Sequence, residues 1–217
     1  MLFGEVVDQF QVHRLACTTA ELALLAAVVQ WDEFISRLFI AHVNRDASTF
    51  GAYLDGRVRD YLTKKFGTPT AARVKTTLEE HLTMELTEQL LDQSGRVPAF
   101  DAPKLQERAR ECFVPEVAKR FRLAEREAAV ITAWRALRNY VAHRSTASRD
   151  EMNAALEDPA LSRPFRKPSA KEVHSAGAYL KAPFKAGEAP RLLYYFGTME
   201  MLGYRFCGID YDVEPED

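Results

Sequence analysis

The residues best suited to chemistry lie in one stretch, Trp134-Arg-Ala-Leu-Arg-Asn-Tyr-Val-Ala-His143. Read as a helix, it places Arg135, Arg138, Asn139, Ala142 and His143 on adjoining positions of one face, opposite an apolar stripe of Val130, Trp134, Leu137 and Val141. Asn139 and His143 are four apart and stack as neighbours, so the amide can orient the imidazole. Arg138 and His143 lie about 140° apart around an ideal helix. They converge only where the helix end loosens or a second copy of the face closes the site. An imidazole titrating near ~6.5 and a permanent guanidinium with a bidentate fork suit cleavage of an RNA phosphodiester. That reaction needs a base for the 2′-hydroxyl, an acid for the leaving 5′-oxygen and a cation for the charged phosphorane. The set needs neither metal nor cofactor, and a twofold dimer would supply two histidines. Each residue also has a plainer reading, because a surface arginine or a capping histidine near a helix C-terminus is favoured by the helix dipole.

The rest of the chain reads as helices that position this one. Thr18-x-x-Glu21 has the spacing of a capping box and opens a helix to about Val43, with Leu24, Val28, Trp31, Ile35 and Leu38 on its core side. Phe50, Leu54, Val58, Tyr61 and Leu62 mark a second helix ending near Gly67, and Pro69 and Thr70 restart a third through Val74, Leu78, Leu82, Leu86 and Leu90 to about Gly95. Residues 95–102 read as a loop, and Pro103 and Pro115 divide 103–121 into two short helices. The motif helix spans about 124–145. Residues 146–169 are loop-rich with a short helix near Glu151–Leu156. Ser169-x-x-Glu172 is a second capping box, for a helix to about Leu180, and Pro190 starts a last one over 191–206. The acidic segment 210–217 reads as a frayed tail. No strand pattern and no repeat emerges, so the fold class is all-α, with the motif in a bundle over 1–146 and a helical extension over 147–217 packing on it.

Composition narrows the classes further. With 217 residues, 47% hydrophobic and 28% charged, the chain is of ordinary globular character. Its net charge of -2 argues against indiscriminate coating of nucleic acid. That total hides a local excess: residues 104–149 hold 11 Lys/Arg against 5 Asp/Glu, between two acidic flanks. Lys104, Arg108, Arg110, Lys119, Arg120 and Arg122 fit an RNA backbone or an ordinary solvated face equally well. The three cysteines are far apart, with no zinc spacing and no disulfide framework. Met1 to Val12 contains no Lys or Arg, and the longest uninterrupted apolar run, Leu22 to Val29, is far short of the ~18 residues that span a bilayer. The expectation is a cytoplasmic protein without a membrane partner.

Arg138-Asn139-x-x-x-His143 resembles the Arg-x(4–6)-His signature of HEPN domains, including the polar residue that often follows the arginine. Its place near the end of a long amphipathic helix is similar too, and Trp31, Glu33 and Phe34 resemble the opening helix of RiboL-PSP and related bacterial HEPN groups. The resemblance covers roughly residues 16–146. It implies a helical bundle that forms a homodimer through its motif helices. It further implies a metal-independent endoribonuclease, a toxin or antiviral-defence effector with a cognate antitoxin or defence partner protein. On this chain Arg138 would hold the scissile phosphate, His143 would transfer protons and Asn139 would orient the site. Arg135, Arg144 and Glu33 are secondary candidates for substrate binding. Where some toxin members carry a modifiable tyrosine, two residues after the histidine, this chain has Ser145. The alternative is a non-catalytic HEPN-like module that binds RNA or a partner protein, since other members keep the fold without catalysis.

Overall fold

Helix α1, Leu2–Arg45, is 44 residues long and dominates the chain. In the computed structural model, residues 2–75, 101–167 and 171–209 are described, with single positions at 77, 83, 85, 86 and 89. After α1 come α2 (Ser48–Phe66), α3 (Thr68–Ala71), α4 (Ala102–Cys112), α5 (Pro115–Ala118), α6 (Glu125–His143), α7 (Thr146–Glu157), α8 (Ala176–Lys181) and α9 (Arg191–Cys207). Among the described residues there is no strand, and the fold is all-α. Contacts group Met1–Trp31 with Leu123–Tyr204 as one unit and Asp32–Arg122 with Arg205–Asp217 as another.

The first unit holds the motif helix. Leu24, Val28 and Trp31 of α1, Val130, Trp134 and Leu137 of α6, and Met152 and Leu156 of α7 are buried, as the apolar stripes require. Trp31 and Trp134 meet edge to face, with centroids 5.4 Å apart, a favoured geometry for aromatic pairs. Val141, on the same predicted stripe, is only partly covered. Described residues between 147 and 204 belong to this core: Tyr179, Leu180, Tyr195 and Leu202 are buried, and the Tyr179 hydroxyl, pushed up to about 12 by burial, donates to Phe165 O at 2.6 Å.

The second unit is organised by rings. Phe39 packs on Phe113 at 4.5 Å and on Phe121 at 5.4 Å, and Phe121 stacks on Phe206 at 4.6 Å. His42 lies against the same two rings, 5.1 Å from Phe113 and 6.0 Å from Phe121. Burial lowers its pKa below the usual histidine value. Asp101 caps α4 by accepting from Lys104 N at 2.9 Å, with Pro103 in the first turn, where a missing N–H costs nothing.

Two predicted helix starts are displaced. Thr18 is not an N-cap: it lies inside α1, and its hydroxyl donates back to Arg14 O at 3.1 Å, the usual resort of a mid-helix threonine. The second capping box fails as well. Ser169 lies outside the described residues, but Lys171 to Ser175 are non-helical and α8 begins at Ala176, capped by Ser175. The cause is Asn153, whose amide accepts from Val173 N at 2.7 Å and donates to Val173 O at 3.3 Å, taking the backbone groups a helix would use. The third helix predicted from Thr70 falls mostly outside the described residues, as does the tail over 210–217. The predicted third helix begins with the single turn α3, Val74 and Lys75 are non-helical, and Glu85, Leu86 and Gln89 are helical. The helix expected near Glu151–Leu156 is longer, as α7.

Helix α1 also corrects the run-length argument about membranes. Within Gln11–Arg45 it is long and apolar enough to cross a bilayer, and 22% of its most apolar window is buried in the protein. Core helices pass the same test, so this is a weak indication on its own.

Two predictions follow from packing and burial. A Cβ on Gly177 would lie 2.3 Å from Cys17 O, backbone that cannot swing aside, whereas Gly197 in α9 has nothing within 4 Å. Gly177→Ala therefore destabilises by about 2–3 kcal/mol and Gly197→Ala stabilises by about 0.5–1 kcal/mol, both read by urea denaturation. His42 resists protonation when folded, so its contribution is complete above the unfolded value of 6.5 and is lost as pH falls below it. Wild type should lose stability between neutral pH and pH ~5 more steeply than His42→Gln; parallel curves would contradict this.

Candidate functional site

Helix α6 is fixed at both ends before its motif comes into play. At the start, Ala124 N donates to Glu127 Oε2 at 2.8 Å, the half of a capping box that alanine permits, and Glu125 and Glu127 complement the dipole. At the end, His143 is the last helical residue, and Arg144 follows at φ 53°, the only non-glycine positive φ among the described residues. That left-handed turn costs an L-residue about 1 kcal/mol or more. It lets Ser145 begin α7 at once, its hydroxyl accepting from Ser148 N at 3.1 Å.

Arg144 is held there by Glu21. Its Nη1 donates to Glu21 Oε1 at 3.2 Å and its Nη2 to Glu21 Oε2, and its guanidinium lies 5.4 Å over the Tyr140 ring. Hydrogen bonding to Glu21, more than any other cause, raises the already high pKa of Arg144. Glu21 is only 8% exposed and spends Oε1 a second time, accepting from Gly177 N at 2.9 Å. The missing Cβ at Gly177 allows that approach of α8 to α1. The Tyr140 hydroxyl donates to His174 O at 2.8 Å, so the chain leading into α8 is tied to the motif helix as well.

The motif residues lie on the less covered side of α6. Arg138 is half-buried; its Nη1 donates to Asn139 Oδ1 at 3.1 Å, and its Nε is buried with no hydrogen-bond partner. His143 is exposed and makes no hydrogen bond to a described residue. Asn139 thus has its amide oxygen on Arg138 rather than on the imidazole beside it. Arg135 is half-buried, while Thr132, Ala142 and His143 are exposed along the same side. Arg144, a candidate phosphate contact by sequence, is engaged by Glu21. Glu33, in the second unit, is partly exposed in a helix-surface pair with Arg37 at 2.5 Å, the solvated role such a pair ordinarily has.

Sequence reasoning passed over Glu21 as a site-shaping residue. The signal was present: Glu21 precedes Leu24, Val28, Trp31 and Ile35 at the same three- and four-residue steps, which puts a carboxylate on the buried stripe. An acid in that position requires a partner. Chemically, the arrangement offers an accessible imidazole for proton transfer and, five residues earlier and about 140° around the helix, a half-buried guanidinium bonded to Asn139. No family model, curated protein or solved structure matches the chain.

The left-handed turn separates two effects at Arg144. Arg144→Ala keeps the strain and loses the ion pair, and should destabilise by about 1–3 kcal/mol, discounted for partial exposure. Arg144→Gly removes the strain and should be about 1 kcal/mol less damaging than alanine. Equal losses in chemical denaturation would contradict the assigned backbone conformation.

Proposed function

We propose that this chain is a metal-independent endoribonuclease of HEPN type, acting as a toxin or antiviral-defence effector. The observation that carries the reading is the placement of Arg138, Asn139 and His143 at the open end of a helix whose opposite face is core. Arg138 takes a phosphate oxygen through the terminal nitrogens of its half-buried guanidinium. A neutral His143 accepts the 2′-hydroxyl proton, the 2′-oxygen attacks phosphorus, and the bond to the 5′-oxygen breaks. A protonated histidine gives its proton to that oxygen, leaving a 2′,3′-cyclic phosphate and a free 5′-hydroxyl. On one helix Arg138 and His143 point in different directions, so the working unit is a homodimer in which the motif helices face each other. The second imidazole then supplies the acid. A cognate antitoxin or defence partner covering this face would silence the enzyme.

One observation favours a second reading, a non-catalytic HEPN-like module binding RNA or a partner protein. Asn139 is bonded to Arg138, so no described side chain orients the imidazole.

Cleavage of single-stranded RNA in EDTA, with product ends identified by mass spectrometry, decides between the two. His143→Ala should lose about 10²–10⁴-fold in rate and Arg138→Ala about 10²–10³-fold, both with unchanged thermal midpoints. Bacterial growth should arrest on expression of wild type and not of His143→Ala. Activity unchanged in His143→Ala would overturn the mechanism, and an inert wild type would favour the binding module.

A further inference from the structure

The second unit carries two adjoining hollows that share Phe113. One, about 290 Å³, opens at the end of α1 between His42, Arg45 and Arg120, over Phe113, Val114 and Val117. The other, about 320 Å³, lies between Arg110, Lys119 and Arg122, over Phe113, Pro115 and Ala118. Each is near the lower bound of about 300 Å³ for a small-molecule site. Each combines cations with an apolar floor, the complements of the phosphate and the base that a nucleotide presents to a protein.

The charge in the hollows is only partly neutralised from within the fold. Arg45 and Arg122 are exposed and make no ion pair with a described residue. Arg110 Nε donates only to Gln106 O of its own helix, at 3.3 Å. Two acids oppose them. Lys119 is paired with Glu116 at 2.7 Å, and Asp46 lines the first hollow with its Oδ1 accepting from Ser48 N and Oγ. The C-terminal end of α1 adds about half a negative charge. Against these stand five permanent cations, so the excess is clearly positive. The wall is built rather than floppy, because Arg120 Nη1 donates to Cys207 O at 3.3 Å against Gly208, where a Cβ would collide with the guanidinium.

We propose that these two hollows bind successive nucleotides of a single-stranded RNA, with the guanidinium groups on phosphates and the apolar floor under the bases. The choice of RNA rests on the proposed function; the phosphate-binding hollows rest on the residues named here. Repetition of cations over an apolar floor fits a polynucleotide better than an acidic peptide, whose carboxylates bring no aromatic plane.

The test is fluorescence anisotropy with a labelled oligouridylate and the full chain carrying His143→Ala, so that the probe survives. Arg45→Gln with Arg122→Gln should weaken binding by about tenfold or more and make the slope of log affinity against log salt shallower by about 1.4. Neither guanidinium holds the fold, so thermal midpoints should stay put, and Arg45→Lys with Arg122→Lys should retain binding. Undiminished binding in the glutamine variant, or equal competition by polyglutamate, would overturn the proposal. Binding that needs Arg45 and Arg122, alongside a wild-type chain that cleaves nothing, would remove the nuclease reading and support the hollows. Cleavage that persists while binding ignores both arginines would do the reverse.

Discussion

A carboxylate withdrawn from water must be matched by donors, since an uncompensated buried charge costs several kcal/mol. Glu21 is that carboxylate, and three segments converge on it. Its own helix, α1, brings it to the buried side. Arg144 meets it with two nitrogens, and Gly177 meets it with a backbone N–H. Each partner is in a position few residues would occupy: Arg144 is left-handed, and Gly177 is pressed so close to Cys17 that no side chain fits. Strain at one and the loss of a side chain at the other are offset by saturating one acid. The end of the motif helix, and with it His143, therefore depends on a residue more than a hundred positions earlier.

That dependence reassigns the cations of the motif region. Arg144 serves the fold, Arg138 is half-buried and bonded to Asn139, and Arg135 lies part-covered on the same side. The proposed chemistry thus narrows to one guanidinium and one imidazole per chain. Since about 140° separates them on a helix, the symmetry of a homodimer becomes a requirement of the mechanism. In the second unit, Arg45 and Arg122 are exposed for a different reason. They stand on the rim of hollows floored by Phe113 and the apolar residues that follow it, which suits a polymer's phosphates rather than the fold's own acids.

The helical content was readable in the sequence because apolar side chains recur at three- and four-residue steps. The α1 stripe from Leu24 to Ile35, the α6 stripe through Trp134 and Leu137, and the breaks at Gly67 and Pro115 all follow from periodicity and backbone chemistry. What failed were local rules overridden by distant partners. Thr18 and Glu21 have capping-box spacing, yet Glu21 is claimed by Arg144 and Gly177. Residues 171–175 have helical composition, yet Asn153 takes both backbone groups of Val173 and the segment is non-helical. The exposed His143 and half-buried Arg138 agree with the face drawn from spacing. The engagement of Arg144, and of Asn139 by Arg138, required side-chain geometry that spacing does not encode.

The central claim is that Glu21 clamps the end of the motif helix and the start of α8 together. Amide hydrogen exchange on Glu21→Leu tests it directly, because the N–H groups of Arg144, bonded to Tyr140 O at 2.9 Å, and of Gly177 report the two sides separately. Both should lose protection together, while amides near Ala133 in the middle of α6 keep theirs. Loss at Gly177 alone, with the Arg144 amide still protected, would contradict the account.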